Sequence, residues 1–217
     1  MQILRQLHAF LWESMTVNNC NTYLIDGDPP VLVDPGHLHL FEHVQRGLLD
    51  MGRSAAGIGM VVLTHGHPDH IEAAQVFHAL EIPIAIHAAE WANLPAYQAM
   101  SDVRLDAFTP AFFLEEGPLS RGGHAFEVIH TPGHTPGGIS LYWPAQKALF
   151  TGDLMFQEGV GRTDLPDGDG GELKTSIRRL SALDVEWLLP GHGGIISGAA
   201  AVRGLFEEME SFWFDYI

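Results

Sequence analysis

The most constraining feature of the chain is a short apolar run that leads directly into a cluster of histidines. The run MVVL at residues 60–63 is followed by THGHPDH at residues 64–70. A short apolar run rich in β-branched residues is typical of a buried strand. The histidines behind it lie either in a hydrated turn or on one side of a metal site. The rest of the chain has to distinguish these two interpretations.

Strands and helices occur in two similar halves, each with strands first and helices behind them. The predicted strands cover 21–26, 31–33, 60–63, 83–87, 126–130, 138–143, 148–151 and 186–189. The predicted helices cover 38–51, about 69–80, 171–183 and 198–214, with a helical turn near 88–91. This order predicts an α/β fold (α+β by some schemes), built from two packed sheets with outer helices or from a single mixed sheet. We expect one domain over residues 1–217, because no linker or low-complexity segment divides the chain.

Two segments are harder to interpret. Residues 92–120 show no clear period, and their length suggests a functional loop or lid. In the closing helix, one face carries the core candidates Leu205, Phe206, Met209, Phe212 and Trp213. Off that face lie Phe214, Tyr216 and Ile217. Two roles stay open for them, a homodimer contact and a wall of the substrate pocket.

Composition excludes several classes of protein. The formal net charge of −16 disfavours nucleic acid and anionic membranes as partners. The single cysteine, Cys20, rules out an intramolecular disulfide and a multi-cysteine zinc site, and it is far from every motif in sequence. No segment approaches the roughly 18 apolar residues needed to span a bilayer, and the amino terminus lacks a leader pattern. We therefore expect a cytoplasmic protein that acts on a small molecule.

Histidines and aspartates follow four of the predicted strands. They are His65, His67, Asp69, His70, His134, Asp153 and His192. Taken singly, each has an ordinary explanation, such as a helix cap for Asp69 or a turn residue for His134. Together, five histidines and two aspartates suit two adjacent metal ions with nitrogen and oxygen ligands. The other histidines are interpreted as scattered polar or core residues.

These motifs resemble the metallo-β-lactamase superfamily. The resemblance rests on "LVDPG", "THGHPDH", "TPGHTPGG", "FTGD" and "PGHG", in that order along nearly the whole chain. It implies a four-layer αβ/βα sandwich of two mixed sheets, with the site at the sheet edge. It also implies a first metal on His65, His67 and His134, and a second on Asp69, His70 and His192. Asp153 would bridge the two metals, and Asp34 would support the site without binding metal.

Such a site indicates metal-assisted hydrolysis. Two divalent ions about 3.5–4 Å apart lower the pKa of a bridging water to about 7 and provide hydroxide at neutral pH. We expect that hydroxide to attack a thioester or ester, with Asp69 orienting it or passing its proton. Zinc is the expected metal, and iron and manganese also suit these ligands.

Three other functions stay open at this point. A persulfide dioxygenase would hold one iron on His65, His134 and Asp153. A lactonase or β-lactamase-type hydrolase is the second alternative, although Asp153 and the missing leader disfavour a true β-lactamase. The third is a catalytically idle metal-binding module, which would tolerate losses among the ligands.

The segment "GVGRTDLP" at 159–166 resembles compact glyoxalase II-like enzymes and persulfide dioxygenases. Arg162 within it is a candidate contact for an anionic substrate tail, or it forms a structural ion pair with Asp164. Glutathione thioesters are in doubt as substrates, because the chain ends without a basic helical region after His192.

Overall fold

A computed structural model of the chain describes residues 1–14 and 16–217. Seven strands form the first sheet in the order of the chain. They are β1 (Gln2–Leu4), β2 (Leu7–Phe10), β3 (Thr22–Ile25), β4 (Val31–Val33), β5 (Met60–Val62), β6 (Ile84–His87) and β7 (Phe112–Leu114). Strands β1 to β4 pair antiparallel, and β4 to β7 pair parallel. The sheet is therefore mixed.

The second sheet has six strands in the order β15-β14-β11-β10-β9-β8. The strands of this half are β8 (Gly117–Arg121), β9 (His124–His130), β10 (Ile139–Trp143), β11 (Ala148–Gly152), β12 (Met155–Phe156), β13 (Gly159–Val160), β14 (Trp187–Pro190) and β15 (Ile196–Ser197). Strands β12 and β13 form a separate small hairpin. Only β11 and β14 pair parallel within the six-stranded sheet, as far as the described residues show.

Six helices accompany the sheets in the described residues. They are α1 (Glu42–Asp50), α2 (Pro68–Ile71), α3 (Ala74–Ala79), α4 (Ala88–Tyr97), α5 (Gly170–Leu180) and α6 (Ala199–Ser211). Short 3-10 turns cover Leu38–Leu40, Ala55–Gly57, Gln98–Met100, Pro144–Gln146 and Trp213–Tyr216.

Three buried clusters define the layers. Along β3, the side chain of Leu24 packs with the helical residues of α1 and α3, whereas Tyr23 and Ile25 pack with residues of the second sheet. This alternation follows from the two-residue period of a strand. A third cluster joins the far face of the second sheet to α5 and α6. The fold is therefore an α/β sandwich of two mixed sheets with helices on both outer faces, as the resemblance implied.

The expected single helix over about 69–80 is wrong. The chain forms α2 and α3 instead, with a break between them. The backbone N–H of Ala73 donates to the carbonyl of Gly36 at 2.9 Å, so it is taken by the neighbouring loop. The carboxylate of Glu72 reaches His37 Nδ1 at 2.8 Å in the same place. Contacts to residues 36–38 therefore override the local helical period.

The expectation that 92–120 is irregular is also wrong. Helix α4 continues to Tyr97, with Pro95 inside it, and β7 and β8 lie within the segment as sheet strands. Strand β7 is difficult to recognise because two of its three residues, Phe112 and Phe113, are exposed. The sequence pattern also predicts no strand over residues 2–10, where β1 and β2 form a hairpin.

The expected positions of two phenylalanines at the carboxy terminus, Phe212 in the core and Phe214 outside it, are wrong. Helix α6 ends at Ser211, and Phe212 leaves the helix with φ −131° and ψ −61°. Phe212 is consequently 47% exposed, whereas Phe214 is 6% exposed and packs in the cluster under α5 and α6. The predicted apolar face therefore fails at Phe212, whereas Trp213 and Ile217 are partly buried against the same cluster as Phe214.

This pair of phenylalanines gives a matched test of the packing. We expect Phe214→Ala to lower the free energy of unfolding by about 3 kcal/mol, because it opens a cavity in the cluster. Phe212→Ala removes a mostly exposed ring and should cost less than about 1 kcal/mol. Urea unfolding of both variants measures the difference. Equal losses would contradict the assignment of Phe214 to the core.

Candidate metal centre

The seven predicted ligands come from both sheets and meet at one edge of the sandwich. His65, His67, Asp69 and His70 follow β5 of the first sheet. From the second sheet, His134 follows β9, Asp153 follows β11 and His192 follows β14. All four segments leave the ends of strands, where a rigid scaffold positions loop residues.

The donor atoms fall into two groups of three. Within each group, the atoms that could bind an ion lie within 4.8 Å of one another. One group is His65, His67 and His134, and the other is Asp69, His70 and His192. In the first group, His67 Nδ1 lies 3.0 Å from His134 Nε2. These are the same two sets that the sequence motifs suggested.

Asp153 lies between the two groups. Its Oδ1 is 3.2 Å from His70 Nε2, and its Oδ2 is 3.2 Å from His192 Nε2 and 3.7 Å from His134 Nε2. Its carboxylate also joins His65 and His70 in a further three-donor set. One aspartate thus contacts histidines of both groups.

Several of these atoms have no hydrogen-bond partner among the described residues. Nε2 of His65 and Nε2 of His67 are buried without a partner, and Nε2 of His70 faces Oδ1 of Asp153 at 3.2 Å outside hydrogen-bond geometry. Buried polar atoms are normally satisfied, and an unsatisfied one requires an explanation. Imidazole nitrogens and carboxylate oxygens are ligands of zinc and of iron. The residues present therefore fit a metal centre.

Other residues fix the orientation of the rings. Asp34 Oδ2 lies 2.9 Å from His70 Nδ1 and accepts the hydroxyl of Thr64 at 2.6 Å, and its Oδ1 accepts the N–H of Thr64 at 2.8 Å. His134 Nδ1 lies 2.7 Å from the carbonyl oxygen of Arg162. A hydrogen bond at Nδ1 leaves the lone pair of Nε2 free to face an ion.

Burial and neighbouring charges separate the histidines into two kinds. Burial lowers the pKa of His65 and His134, and it lowers the pKa of His67 to about 3. These three rings are therefore neutral at physiological pH, which is the form that binds metal.

The second kind of histidine lies next to the carboxylates. Burial opposes protonation of His192, but Asp153 and Asp69 beside it raise the pKa of His192 to about 10. Burial likewise would raise the pKa of Asp153, but His192 and His70 hold that pKa well below its usual range. Without metal, the imidazolium of His192 and the neighbouring carboxylates stabilise each other in their charged forms. Binding of an ion therefore releases the imidazolium proton.

Several residues before and within β3 contribute to the site and were not predicted. Asn18 Nδ2 donates to Asp69 Oδ2 at 2.8 Å. Asn21 Nδ2 donates to the carbonyls of Pro190 and Gly193, and the hydroxyl of Tyr23 donates to Pro190 at 2.7 Å. These bonds hold the loop that carries His192. The one available signal was the run NNCN at 18–21, whose polar residues precede an apolar strand.

Cys20 is close to the site, although it is distant in sequence. Its thiol is buried and lies 3.6 Å from the carbonyl oxygen of Asp34. Burial raises the pKa of this thiol well above its ordinary value. Cys20 is therefore an unreactive packing residue beneath the metal centre.

The backbone and the side chain of Arg162 make different contacts. Its backbone carbonyl supports His134, whereas its guanidinium pairs with Asp164 at 2.8 Å on the surface. Both side chains are about two-thirds exposed, at 67% and 69%. The ion pair is the contact that the structure shows for this side chain, and the substrate contact stays a prediction.

Comparison with known proteins agrees with this geometry. The family model of the metallo-beta-lactamase superfamily matches residues 15–192. Hydroxyacylglutathione hydrolase GloC of Haemophilus influenzae is 32% identical over 186 residues, covering 81% of this chain and 85% of that protein.

Two solved structures have the same fold. The metallo-beta-lactamase family protein TTHA1429 from Thermus thermophilus superposes with a TM-score of 0.81 at 21% identity, over 97% of this chain and 80% of that one. TTHA1623, solved in a di-iron-bound form, has a TM-score of 0.72 at 32% identity, over 95% of this chain and 100% of that one.

The family match, the similarity to a hydrolase and the cluster of histidines and aspartates define the class of metal-dependent hydrolases. The chain belongs to the metallo-β-lactamase superfamily. Within the residues that the structure describes, no helix has the length and apolar character needed to cross a bilayer.

The support that Asp34 gives to His70 can be tested directly. In Asp34→Asn, one carboxylate oxygen is replaced by an NH₂ group, so the side chain cannot accept the two hydrogen bonds from Thr64 and the His70 N–H together. The His70 ring then loses its orientation. Loss of such a supporting partner typically costs about 10–100-fold in metal affinity. Competition with a chelating dye measures the change.

The matched control is Asp26→Asn. Asp26 also follows a strand of the first sheet, but it pairs with His8 and Arg53 and not with the cluster. This variant should bind metal like the wild type. An equal loss in both variants would show that the effect is one of general stability.

Proposed function

We propose that the chain is a dinuclear metal-dependent hydrolase that cleaves thioesters or esters. The observation that carries the proposal is the arrangement of two three-donor groups with Asp153 in contact with histidines of both. A site built for one ion would not require two separate sets of donors. The similarity to a hydroxyacylglutathione hydrolase supports the thioester class.

His65, His67 and His134 would hold one ion, Asp69, His70 and His192 the other, and Asp153 would contact both. When bound, such ions supply hydroxide at neutral pH and polarise the carbonyl of the substrate. Zinc is the proposed metal, and the di-iron form of a relative keeps iron as an alternative.

Asp69 is the proposed catalytic residue of the protein itself. Its Oδ2 lies 3.2 Å from His192 Nε2 and accepts a hydrogen bond from Asn18 at 2.8 Å. Asn18 and His192 both line the adjoining cavity, so the two contacts of Asp69 connect it to the space open to substrate. In that position, Asp69 can orient the attacking water and take its proton.

The cavity beside His192 is the proposed substrate pocket. It has a volume of about 570 Å³, within the range of small-molecule sites. Trp12 and Val17 provide apolar surface, and Asn18 provides an amide. The described part of the wall contains one carboxylate, from Glu13, and no lysine or arginine. We therefore propose an uncharged thioester or ester as the preferred substrate, in place of an anionic glutathione thioester.

Metal analysis tests the dinuclear site. We expect two metal ions per chain by mass spectrometry, with thioester turnover that is lost on chelation and restored by metal. His67→Ala and His192→Ala should each lower the metal content and abolish turnover, because each removes a ligand. The control His78→Ala removes an exposed histidine and should change neither. One iron per chain with oxygen uptake on a persulfide would overturn the proposal in favour of a dioxygenase.

A matched pair of substrates tests the pocket. Lactoyl-N-acetylcysteamine and lactoylglutathione share the same acyl group and differ in the thiol carrier. The carrier is uncharged in the first substrate and anionic in the second. We expect a higher kcat/KM for the uncharged thioester. Glu13→Gln should raise kcat/KM for the glutathione thioester alone, because it removes a repulsive charge from the wall. A preference for glutathione that Glu13→Gln leaves unchanged would contradict the uncharged class without affecting the hydrolase.

A further inference from the structure

Glu90 is a buried carboxylate that lies behind the metal centre. It occupies the first turn of α4 and is 0% exposed. Its Oε2 accepts the backbone N–H of Gly66 at 2.7 Å, and its Oε1 accepts that of Gly137 at 2.6 Å. No cationic side chain pairs with it in the part of the chain that the structure describes. Burial raises the pKa of this carboxyl, and the two backbone N–H groups oppose that rise by hydrogen-bonding to it.

The two N–H groups belong to loops from different sheets. Gly66 lies between His65 and His67 in the loop after β5 of the first sheet. Gly137 lies three residues after His134, in the loop between β9 and β10 of the second sheet. One carboxylate thus joins the two loops that carry the first group of donors.

The loops approach α4 so closely that a side chain at either position would displace a neighbouring group. A Cβ added to Gly66 would lie 2.9 Å from Glu90 Oε2. A Cβ added to Gly137 would lie 2.7 Å from the backbone nitrogen of Glu90. Both separations are below ordinary van der Waals contact, so both glycines are explained by this approach.

A second residue of α4 contacts the same donor group. The ring of Tyr97, seven residues after Glu90, packs edge-on against His67 with 4.8 Å between centroids. Residues seven apart lie on one face of a helix. One face of α4 therefore supports both the loop backbone and a ligand ring.

We infer that Glu90 is a positioning residue, which sets the spacing of His67 and His134 before any ion binds. The inference rests on the proposed metal site and adds a residue that binds neither metal nor substrate. Its physical basis is the cost of leaving two buried N–H groups without an acceptor. The 3.0 Å separation of His67 Nδ1 and His134 Nε2 is the distance that this bridge would maintain.

Glu90→Gln is the sharpest variant, because glutamine keeps the size and shape of glutamate. An amide offers only one oxygen, so one N–H must face the NH₂ group in either orientation. We expect metal affinity to fall about 10–100-fold, as for other residues that support ligands indirectly. The absorption spectrum of the cobalt-substituted protein should change with it, because the first donor group is altered.

The matched control is Leu94→Ala on the same helix. Leu94 is buried and packs in the core cluster of the first sheet. This variant should lower the melting temperature of the metal-free protein but leave metal affinity and the cobalt spectrum unchanged. If Glu90→Gln behaves in the same way, Glu90 is a stability residue and the inference is wrong.

Hydrogen exchange on the metal-free wild type tests the bridge without any metal. We expect the amides of Gly66 and Gly137 to be protected in that state, and one of them to lose protection in Glu90→Gln. Protection that appears only when metal is added would overturn the inference, even if Glu90→Gln does not fold. A wild type that protects both amides but binds no metal would contradict the proposed function and leave nothing for Glu90 to position.

Discussion

The structure depends on placing five imidazoles and two carboxylates at one edge of the sandwich, where five of the seven side chains are buried and Asp153 and His192 are half-buried. Groups of this kind are costly to bury unless each is hydrogen-bonded, paired or bound to metal. The chain satisfies one side of several rings, through Asp34 on His70 and the Arg162 carbonyl on His134. The opposite nitrogens face one another across the cluster. This division, with one side satisfied by protein and one side left for an ion, makes the cluster a metal centre and not a polar core.

The four-layer architecture provides the rigidity that this cluster requires. Each sheet is covered on both faces, so the strand ends cannot move without disturbing a packed cluster. The two sheets contribute different ligands, and contacts between their loops fix how those ligands meet. Asn21 and Tyr23 hold the His192 loop from the first sheet, and Glu90 holds the loops of His67 and His134.

The same architecture leaves one side of the site open. The segment before β3 forms the wall of the cavity next to His192 and also places Asn18 on Asp69. Under the proposed function, substrate selection and the orientation of Asp69 therefore depend on one loop. Loops of this kind vary while the scaffold stays fixed, which explains how one fold serves many hydrolases.

The sequence by itself determined the family, the sandwich class and the candidate donor residues that the structure brings together. The ligand residues follow strands at short, recognisable spacings, and side-chain chemistry limits what five histidines and two aspartates can bind. Phe214 and the segment 92–120 were misjudged, because a break in helical period and an exposed strand have no clear local signal. Only the tertiary structure revealed Glu90, Asn18 and Asn21 as parts of the site. Their contacts join residues 47, 51 and 172 positions apart, and such pairings depend on how the two sheets pack and not on any local pattern.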